Sequence, residues 1–242
     1  MSATLILLPG LHGTPCLFGP LLAVIPAEMP RRLVNFPTDR PCSVRQLLEL
    51  LERELEGEAE MVLIAESFSG PIAMQFAAAN PGRVRALILC ATFVAEPVPV
   101  TLCYLATPLI WLHVPIPAIA IRMFLGGIRA PRALVRQVAA AVRLNSPRVL
   151  AHRVRLAGWV NSVKALQSCK VPILCLGARR DRLVGRRSVR RIRRLRPDIP
   201  IRMLDAPHLM LQLMPGAAWR EISEFLAGIP ETAPLASVTS PP

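Results

Sequence analysis

Ser67 occupies a sharp turn that the sequence predicts between an apolar strand and a helix. Met61 to Ala65 is a short apolar run typical of a buried strand, and Pro71 to Ala79 is typical of a helix that begins with proline. Such a turn holds its central residue in a strained conformation and needs small residues two positions before and after it, a need that Ala65 and Ser69 meet. A serine hydroxyl presented in this way can act as a nucleophile, whereas the same short pattern also fits an ordinary turn serine.

The turn resembles the Gly-x-Ser-x-Gly nucleophile motif of the alpha/beta-hydrolase family, with Ala65 and Ser69 in place of its two glycines. The resemblance covers nearly the whole chain outside its C-terminal tail and is strongest in these segments: Leu5 to Thr14, Val62 to Gly70, Leu174 to Val184 and Asp205 to Leu211. It implies an α/β fold in which helices flank a short, mostly parallel sheet of about six strands, because the family's usual first strands are absent.

The resemblance also implies a catalytic triad. Ala178 to Val184 resembles the family segment Gly-x-x-Asp-x-Leu/Val-Val, in which the aspartate, here Asp181, is the acid. Asp205 to Leu209 resembles the loop that carries the catalytic base, here His208. Ser67, Asp181 and His208 follow one another in the order nucleophile, acid and base that this fold requires, each directly after a predicted strand. A serine hydroxyl needs such a base to remove its proton, and the base needs a carboxylate to fix its tautomer.

Two glutamates near these segments have to be weighed. Glu96 is the alternative acid, because it lies near the end of the predicted strand Val84 to Ala91, where some family members place their carboxylate. Asp181 is favoured over it by the sequence match and by a shorter side chain, which needs less ordering to reach a histidine. Glu66, directly before the proposed nucleophile, is interpreted as local scaffold and not as a second acid.

The loop after the first predicted strand is the candidate oxyanion site. The predicted strand Thr4 to Leu8 is followed by Pro9-Gly10-Leu11, which aligns with the family's His-Gly-x or Pro-Gly-x pattern. The resemblance implies that the Leu11 N–H and the Phe68 N–H, just after the nucleophile, bind the oxyanion. His12 lies beside this loop and is a possible substrate contact.

The strong positive charge does not by itself predict a nucleic-acid ligand. The 242 residues, enough for one domain, carry a formal net charge of +13, almost wholly from arginine, since Lys164 and Lys170 are the only lysines. Together with 25 prolines, this composition is typical of a GC-rich bacterial genome. Only 5% of the residues are aromatic and they do not interleave with basic stretches, which disfavours nucleic acid. An anionic polymer or membrane surface is the alternative partner.

The cysteines predict a reducing environment. The six cysteines include no Cys-x-x-Cys pair, and Cys90 and Cys175 lie in apolar strand-like runs. They are interpreted as buried reduced thiols and not as a disulfide framework or a zinc site. Residues 1 to 9 lack the charged start of a secretory signal, so we expect a cytoplasmic protein.

A long apolar stretch follows the fourth predicted strand. Pro97 to Ile121 contains no Asp, Glu, Lys or Arg, which raises the possibility of a membrane span, but its prolines would break a spanning helix repeatedly. Alpha/beta-hydrolases carry their lid at this place in the chain. Residues 96–161 are therefore predicted to form a helical cap, with helices near Pro131 to Leu144 and Pro147 to Val160. Attachment to a membrane surface is the alternative role of this stretch.

The predicted cap interrupts a hydrolase core made of residues 1–95 and 162–228. Within the cap, Trp111 and Leu112 are possible substrate contacts. Residues 229–242 are rich in proline, threonine and serine, and we expect them to be a disordered tail.

The resemblance implies acyl transfer to water through a covalent acyl-enzyme, with no metal or organic cofactor. The apolar cap favours small-molecule carboxylic esters with a hydrophobic acyl or alcohol part. A thioesterase, an acyl-carrier methyl esterase and a C–C bond hydrolase can use the same triad and stay open, because the fold hosts many chemistries. A catalytically inactive lipid- or partner-binding protein is the alternative from another class.

Overall fold

Six short strands form one parallel sheet at the centre of the molecule. In the computed structural model, which describes residues 3–97, 110 and 117–230, the strands are β1 (Thr4–Leu8), β2 (Arg31–Leu33), β3 (Met61–Glu66), β4 (Val84–Cys90), β5 (Ile173–Ala178) and β6 (Ile201–Leu204). They lie in the order β2-β1-β3-β4-β5-β6, and every neighbouring pair is parallel. The α/β class and the short parallel sheet predicted from the sequence are confirmed.

The central strand β3 is buried on both faces. Its residues are all buried, and successive side chains enter two different apolar clusters: Leu63 and Ala65 belong to one, Val62 and Ile64 to the other. Because helices cover both faces of the sheet, this strand reads as a continuous apolar run and not as an alternating one. The edge strand β2 has only three residues and is more exposed.

Helices pack on the two faces of the sheet. Their bounds are α1 (Gly19–Leu22), α2 (Val44–Glu54), α3 (Gly70–Ala79), α4 (Ala118–Ala120, continuing as a π-helix over Ile121–Gly126), α5 (Arg132–Arg143), α6 (Pro147–Trp159), α7 (Val163–Ser168), α8 (Gly185–Leu195), α9 (Met210–Leu213) and α10 (Pro215–Ala227). Residues of α2, α3, α7 and α8 join the apolar cluster on one face, and residues of α1, α9 and α10 join the cluster on the other. Both faces of the apolar strands are thereby removed from water.

The start of α2 shows how local sequence sets an element. Ser43 is its N-cap, and its hydroxyl accepts a hydrogen bond from Gln46 N at 3.3 Å. The Gln46 side chain accepts in return from Ser43 N at 2.9 Å, which completes a capping box.

One predicted strand is shorter than expected. The sequence favours a strand over Arg32 to Phe36, but β2 ends at Leu33. Phe36 N–H instead donates to the carbonyl of Gly13 at 2.7 Å, so the chain leaves the sheet to pack against the loop after β1. This tertiary hydrogen bond replaces the strand pairing that an apolar run alone predicts.

The two ends of the segment between β4 and β5 lie side by side. Ala95 and Asn161 form an antiparallel bridge, and Ser162 N–H donates to the carbonyl of Val94 at 2.9 Å. The predicted helices near 131–144 and 147–160 are confirmed as α5 and α6. Much of the predicted cap, including Trp111 and Leu112, and nearly all of the predicted tail lie outside the described residues. Among the helices that are described, none combines the length and apolar character needed to span a membrane.

The cysteines differ in their burial. Cys90, Cys169 and Cys175 are buried, as the apolar context of two of them predicts, but Cys16 is exposed and Cys42 half-buried. The interpretation of all the cysteines as buried thiols is therefore wrong for Cys16. The five cysteines in the described ranges are free thiols.

Candidate active site

Ser67 lies in a strained turn at the carboxyl end of β3. Its φ angle is +52°, which non-glycine residues adopt only with strain of about 1–3 kcal/mol. Thr92, which follows β4, holds the turn by donating its hydroxyl hydrogen to the Ser67 carbonyl. The Ser69 hydroxyl, at the second position where the family motif has glycine, lies 2.9 Å from the carbonyl oxygen of Leu8 and ties the turn to β1. Groups at the ends of the neighbouring strands therefore stabilise a backbone conformation that is unfavourable for a serine by itself.

Gly70 allows α3 to start directly after this turn. A Cβ atom added at Gly70 would lie 1.9 Å from the Thr92 hydroxyl oxygen. In the family motif, the last glycine allows the strand and the helix to lie close together. In this chain Ser69 holds that position, and Gly70, one residue later, allows the close approach. The sequence shows this glycine but gives no sign of its partner.

Three side chains from three loops form one hydrogen-bonded chain. His208 Nε2 lies 3.0 Å from Ser67 Oγ, and His208 Nδ1 lies 2.8 Å from Asp181 Oδ2. The loops follow β3, β5 and β6, whose carboxyl ends meet at the same edge of the parallel sheet. Because the carboxylate can only accept, it places the proton of the neutral imidazole on Nδ1 and leaves Nε2 to accept from the serine hydroxyl.

Asp181 is held as an anion although its side chain is only 3% exposed. Burial alone would raise the pKa of this carboxyl, but the contact with His208 and hydrogen bonds from Leu183 N at 2.8 Å and Val184 N at 3.0 Å lower it below its usual value. A carboxylate that stays ionised at neutral pH can orient the imidazole and stabilise its protonated form.

The alternative acid lies elsewhere. Glu96 is exposed, and its carboxylate forms an ion pair with Arg191 at 3.4 Å. The structure therefore brings Asp181, and not Glu96, into contact with His208.

The loop after β1 passes directly beside the serine. A Cβ atom added at Gly10 would be in van der Waals contact with Ser67 Cβ, at 3.8 Å, so the backbone at this position lies beside the serine. Within the described part of the chain, the Leu11 N–H donates to no carbonyl. The Phe68 N–H lies in the first turn of a helical segment, where amides have no partner within the helix. Both amides therefore stay candidate donors to an oxyanion formed at Ser67.

His12 is a buried, neutral imidazole beside Gly10. The Cβ position of Gly10 is 3.6 Å from its ring, and His12 Nε2 has no hydrogen-bond partner among the described residues. Burial lowers the pKa of His12 to about 4, and the nearby Arg153 adds to this effect. A buried polar atom without a partner, on a ring that packs against the same glycine as Ser67, keeps His12 a candidate substrate contact.

Glu66 and Gln212 form a buried pair that sequence reasoning did not predict. Gln212 Nε2 donates to Glu66 Oε1 at 3.0 Å, while Glu66 Oε2 and Gln212 Oε1 have no partner among the described residues. Burial raises the pKa of Glu66, against the opposing effects of Gln212 and His208. Gln212 is only four residues after His208, but nothing in its sequence context indicates that it would face Glu66.

No group of three His, Cys, Asp or Glu side chains lies close enough together to hold a metal ion within the residues that the structure describes.

Comparison with known proteins supports the fold and gives the family. The sequence model of the alpha/beta hydrolase family matches residues 5–222. A search of curated proteins by sequence finds no match. Many solved structures are similar, at identities that show the fold alone.

Three of these structures illustrate the likeness. An enol-lactonase from Burkholderia xenovorans has a TM-score of 0.82 at 14% identity, with 94% of this chain and 92% of that chain covered. A carboxylesterase from the thaumarchaeon Nitrososphaera gargenis has a TM-score of 0.78 at 15% identity, covering 93% of this chain and 90% of its own. A thermophilic esterase from Thermogutta terrifontis has a TM-score of 0.77 at 17% identity, covering 95% of this chain and 91% of its own.

The raised pKa of Glu66 makes a prediction about stability and pH. The folded state keeps a proton that the unfolded state releases above about pH 4.3, so the wild-type protein loses stability as the pH rises from there toward the folded-state pKa. Glu66→Gln removes this loss and gives Gln212 Oε1 a possible donor. We expect the variant to gain about 1–3 kcal/mol over the wild type at neutral pH and much less near pH 4.

Urea unfolding at a series of pH values measures this difference. Glu28→Gln, at an exposed glutamate, is the matched control and should show no such trend. A free-energy difference between Glu66→Gln and the wild type that does not change with pH would contradict the prediction.

Proposed function

The chain belongs to the alpha/beta hydrolase family, and we propose on this basis that it is a serine hydrolase of carboxylic esters with a hydrophobic acyl or alcohol part. The observation that carries the proposal is the hydrogen-bonded chain from Ser67 through His208 to Asp181. These groups have the types, order and distances that nucleophilic acyl transfer requires.

The proposed reaction proceeds in two halves. His208 Nε2 takes the proton of Ser67 as its Oγ attacks the ester carbonyl, while Asp181 stabilises the imidazolium that forms. The Leu11 and Phe68 amides donate to the oxyanion of the tetrahedral intermediate. His208 then protonates the departing alcohol, and a water molecule activated by the same imidazole releases the acid from Ser67.

The inserted helices support an apolar substrate. Leu134 and Val138 of α5 and Ile121 of the π-helix form one buried cluster with Leu209, the residue after His208. These helices therefore pack beside the proposed base through apolar side chains, and we propose that the segment 96–161 caps the site with an apolar surface. A hydrophobic acyl or alcohol group would be removed from water against such a surface.

Thioester hydrolysis is the second candidate, favoured by one observation. A cavity of about 790 Å³ lies beside Asp181, and its lining includes Arg129, Arg179, Arg180 and Arg182. Phosphate groups of a carrier such as coenzyme A would be attracted to these guanidinium groups.

The nucleophile is tested by Ser67→Ala. We expect the variant to lose nearly all turnover of p-nitrophenyl hexanoate and all labelling by a fluorophosphonate, because the oxyanion donors alone supply only a small residual rate. Ser223→Ala, at a half-buried serine of α10, is the control and should label and turn over as the wild type does. Labelling that persists in Ser67→Ala would refute the assignment, and a wild-type protein that takes no label would favour the non-catalytic alternative.

The acid is tested by a pair of amide substitutions. Asp181→Asn should lower kcat by several orders of magnitude, since the corresponding change in the serine-protease reference case cost about 10⁴ by leaving the histidine in the wrong tautomer. Glu96→Gln should leave kcat nearly unchanged, because this side chain pairs with Arg191 on the surface. Steady-state kinetics on proteins of equal melting temperature decide between the two, and the opposite pattern would reassign the acid.

Ester and thioester substrates are distinguished with one acyl group on different leaving groups. We expect kcat/KM to be highest for p-nitrophenyl hexanoate, and to be similar for the hexanoyl thioesters of coenzyme A and of N-acetylcysteamine, which lacks phosphates. A strong preference for the coenzyme A thioester that weakens with salt and in Arg182→Met would make thioester hydrolysis the better assignment.

A further inference from the structure

Arg153 is a buried cation that the inserted helix α6 places under the loop after β1. The residue is 3% exposed. Its Nη1 atom donates to the carbonyl of Leu11 at 3.0 Å and to Asn145 Oδ1 at 2.8 Å, and its Nη2 atom donates to the carbonyl of Pro37 at 2.8 Å. None of the carboxylates in the described ranges forms an ion pair with it.

Asn145 extends this contact to the next peptide unit. It is buried just after α5, and its Nδ2 atom donates to the carbonyl of His12 at 2.8 Å. The carbonyls of Leu11 and His12 are therefore each held by a side chain from the insertion. The two peptide planes that follow Leu11 are thereby held, and the second of them carries the Gly13 N–H, which donates to the carbonyl of Gly10 at 2.9 Å. That carbonyl lies in the same peptide plane as the Leu11 N–H, so the contacts restrict its rotation as well.

The loop is shaped to make room for the guanidinium. Gly13 has a φ angle of +73°, and a Cβ atom there would lie 2.1 Å from Arg153 Nη1. Gly13 N–H closes a turn on the carbonyl of Gly10 at 2.9 Å, so the same glycine keeps Gly10 against the serine. Any side chain at this position would push the guanidinium away or open the turn.

The guanidinium also reaches the second proposed oxyanion donor through aromatic rings. It lies 5.9 Å from the centroid of the Phe36 ring. Phe36 in turn packs edge-on against Phe68, with ring centroids 6.3 Å apart and an interplanar angle of 79°. Arg153 thus contacts Leu11 directly and Phe68 through a single intervening side chain.

The burial of this charge is costly and has to be offset. Burial lowers the pKa of Arg153 to about 10, which leaves it protonated at neutral pH. Its hydrogen bonds to oxygen atoms and its contact with the Phe36 ring offset part of the cost of removing it from water. A buried cation without a carboxylate partner also favours any negative charge that develops nearby.

We propose that Arg153 and Asn145 are positioning residues for the oxyanion hole, and that the insertion thereby forms part of the active site in addition to covering it. They act by holding the Leu11 amide in the direction in which it donates to the oxyanion. The inference rests on the proposed function, since it assigns a role in the reaction at Ser67.

The test compares variants of these two residues with a control on the same helix. Arg153→Met removes the charge and the donors, Arg153→Lys keeps the charge with fewer donors, and Asn145→Asp keeps the shape but cannot donate to His12. Arg155→Met, at a half-buried arginine of α6, is the control. For each variant, kcat and KM are measured for p-nitrophenyl hexanoate, and active-site titration gives the concentration of active enzyme needed for kcat. Binding is measured for a trifluoromethyl ketone, which forms an anionic adduct with serine, and for the corresponding secondary alcohol, which does not.

We expect Arg153→Met and Asn145→Asp to lower kcat about 10- to 100-fold with KM changed less than about 3-fold, somewhat below the effect of deleting an oxyanion donor. The affinity for the ketone should fall in parallel with kcat/KM, whereas the affinity for the alcohol should not. Arg153→Lys should recover part of the rate, and Arg155→Met should match the wild type.

Variants at Arg153 and Asn145 that fold and behave as Arg155→Met would overturn the inference while leaving the proposed function standing. Should Arg153→Met fail to fold, Asn145→Asp and Arg153→Lys decide by the same measurements. A wild-type protein that neither hydrolyses the ester nor binds the ketone would overturn the proposed function and this inference together.

Discussion

The contact of one imidazole with two groups from different strands is the constraint on which the site depends. His208, in the loop after β6, has to lie within hydrogen-bond distance of two residues from other loops. These are Ser67, after β3, and Asp181, after β5. A parallel sheet meets this requirement because its strands all end at one edge, so residues far apart in the chain emerge side by side. The apolar strands are therefore the framework of the site, and their burial fixes the positions of the three loops relative to one another.

Strain at the serine is maintained by the same framework. Ser67 adopts a positive φ angle, and the groups that hold it come from β1 and from the loop after β4. The hydroxyl of Ser69 shows that a small polar side chain can occupy a motif position of the family if carbonyls, here those of Leu8 and Glu66, lie within hydrogen-bond distance. The missing glycines of the motif are compensated by a hydrogen bond and by Gly70.

The buried charges around the site differ in sign and in environment. Asp181 is kept anionic by donors, Glu66 is favoured in its neutral form by burial, and Arg153 stays cationic without a carboxylate partner among the described residues. In the proposed reaction, a developing oxyanion would meet the Arg153 cation below the loop after β1.

The sequence by itself determined the class of fold, most element bounds and the order of Ser67, Asp181 and His208, because these depend on apolar periodicity and on short local motifs. Only the tertiary structure decided that Asp181 and not Glu96 contacts the histidine, since both follow strands and only packing sets their direction. It alone revealed the pairing of Gln212 with Glu66 and of Arg153 with Leu11, residues that are 146 and 142 positions apart. In the sequence, Arg153 is one of many arginines. Its guanidinium is buried because Gly13 leaves room for it, and this contact depends on two distant segments, which no local pattern encodes.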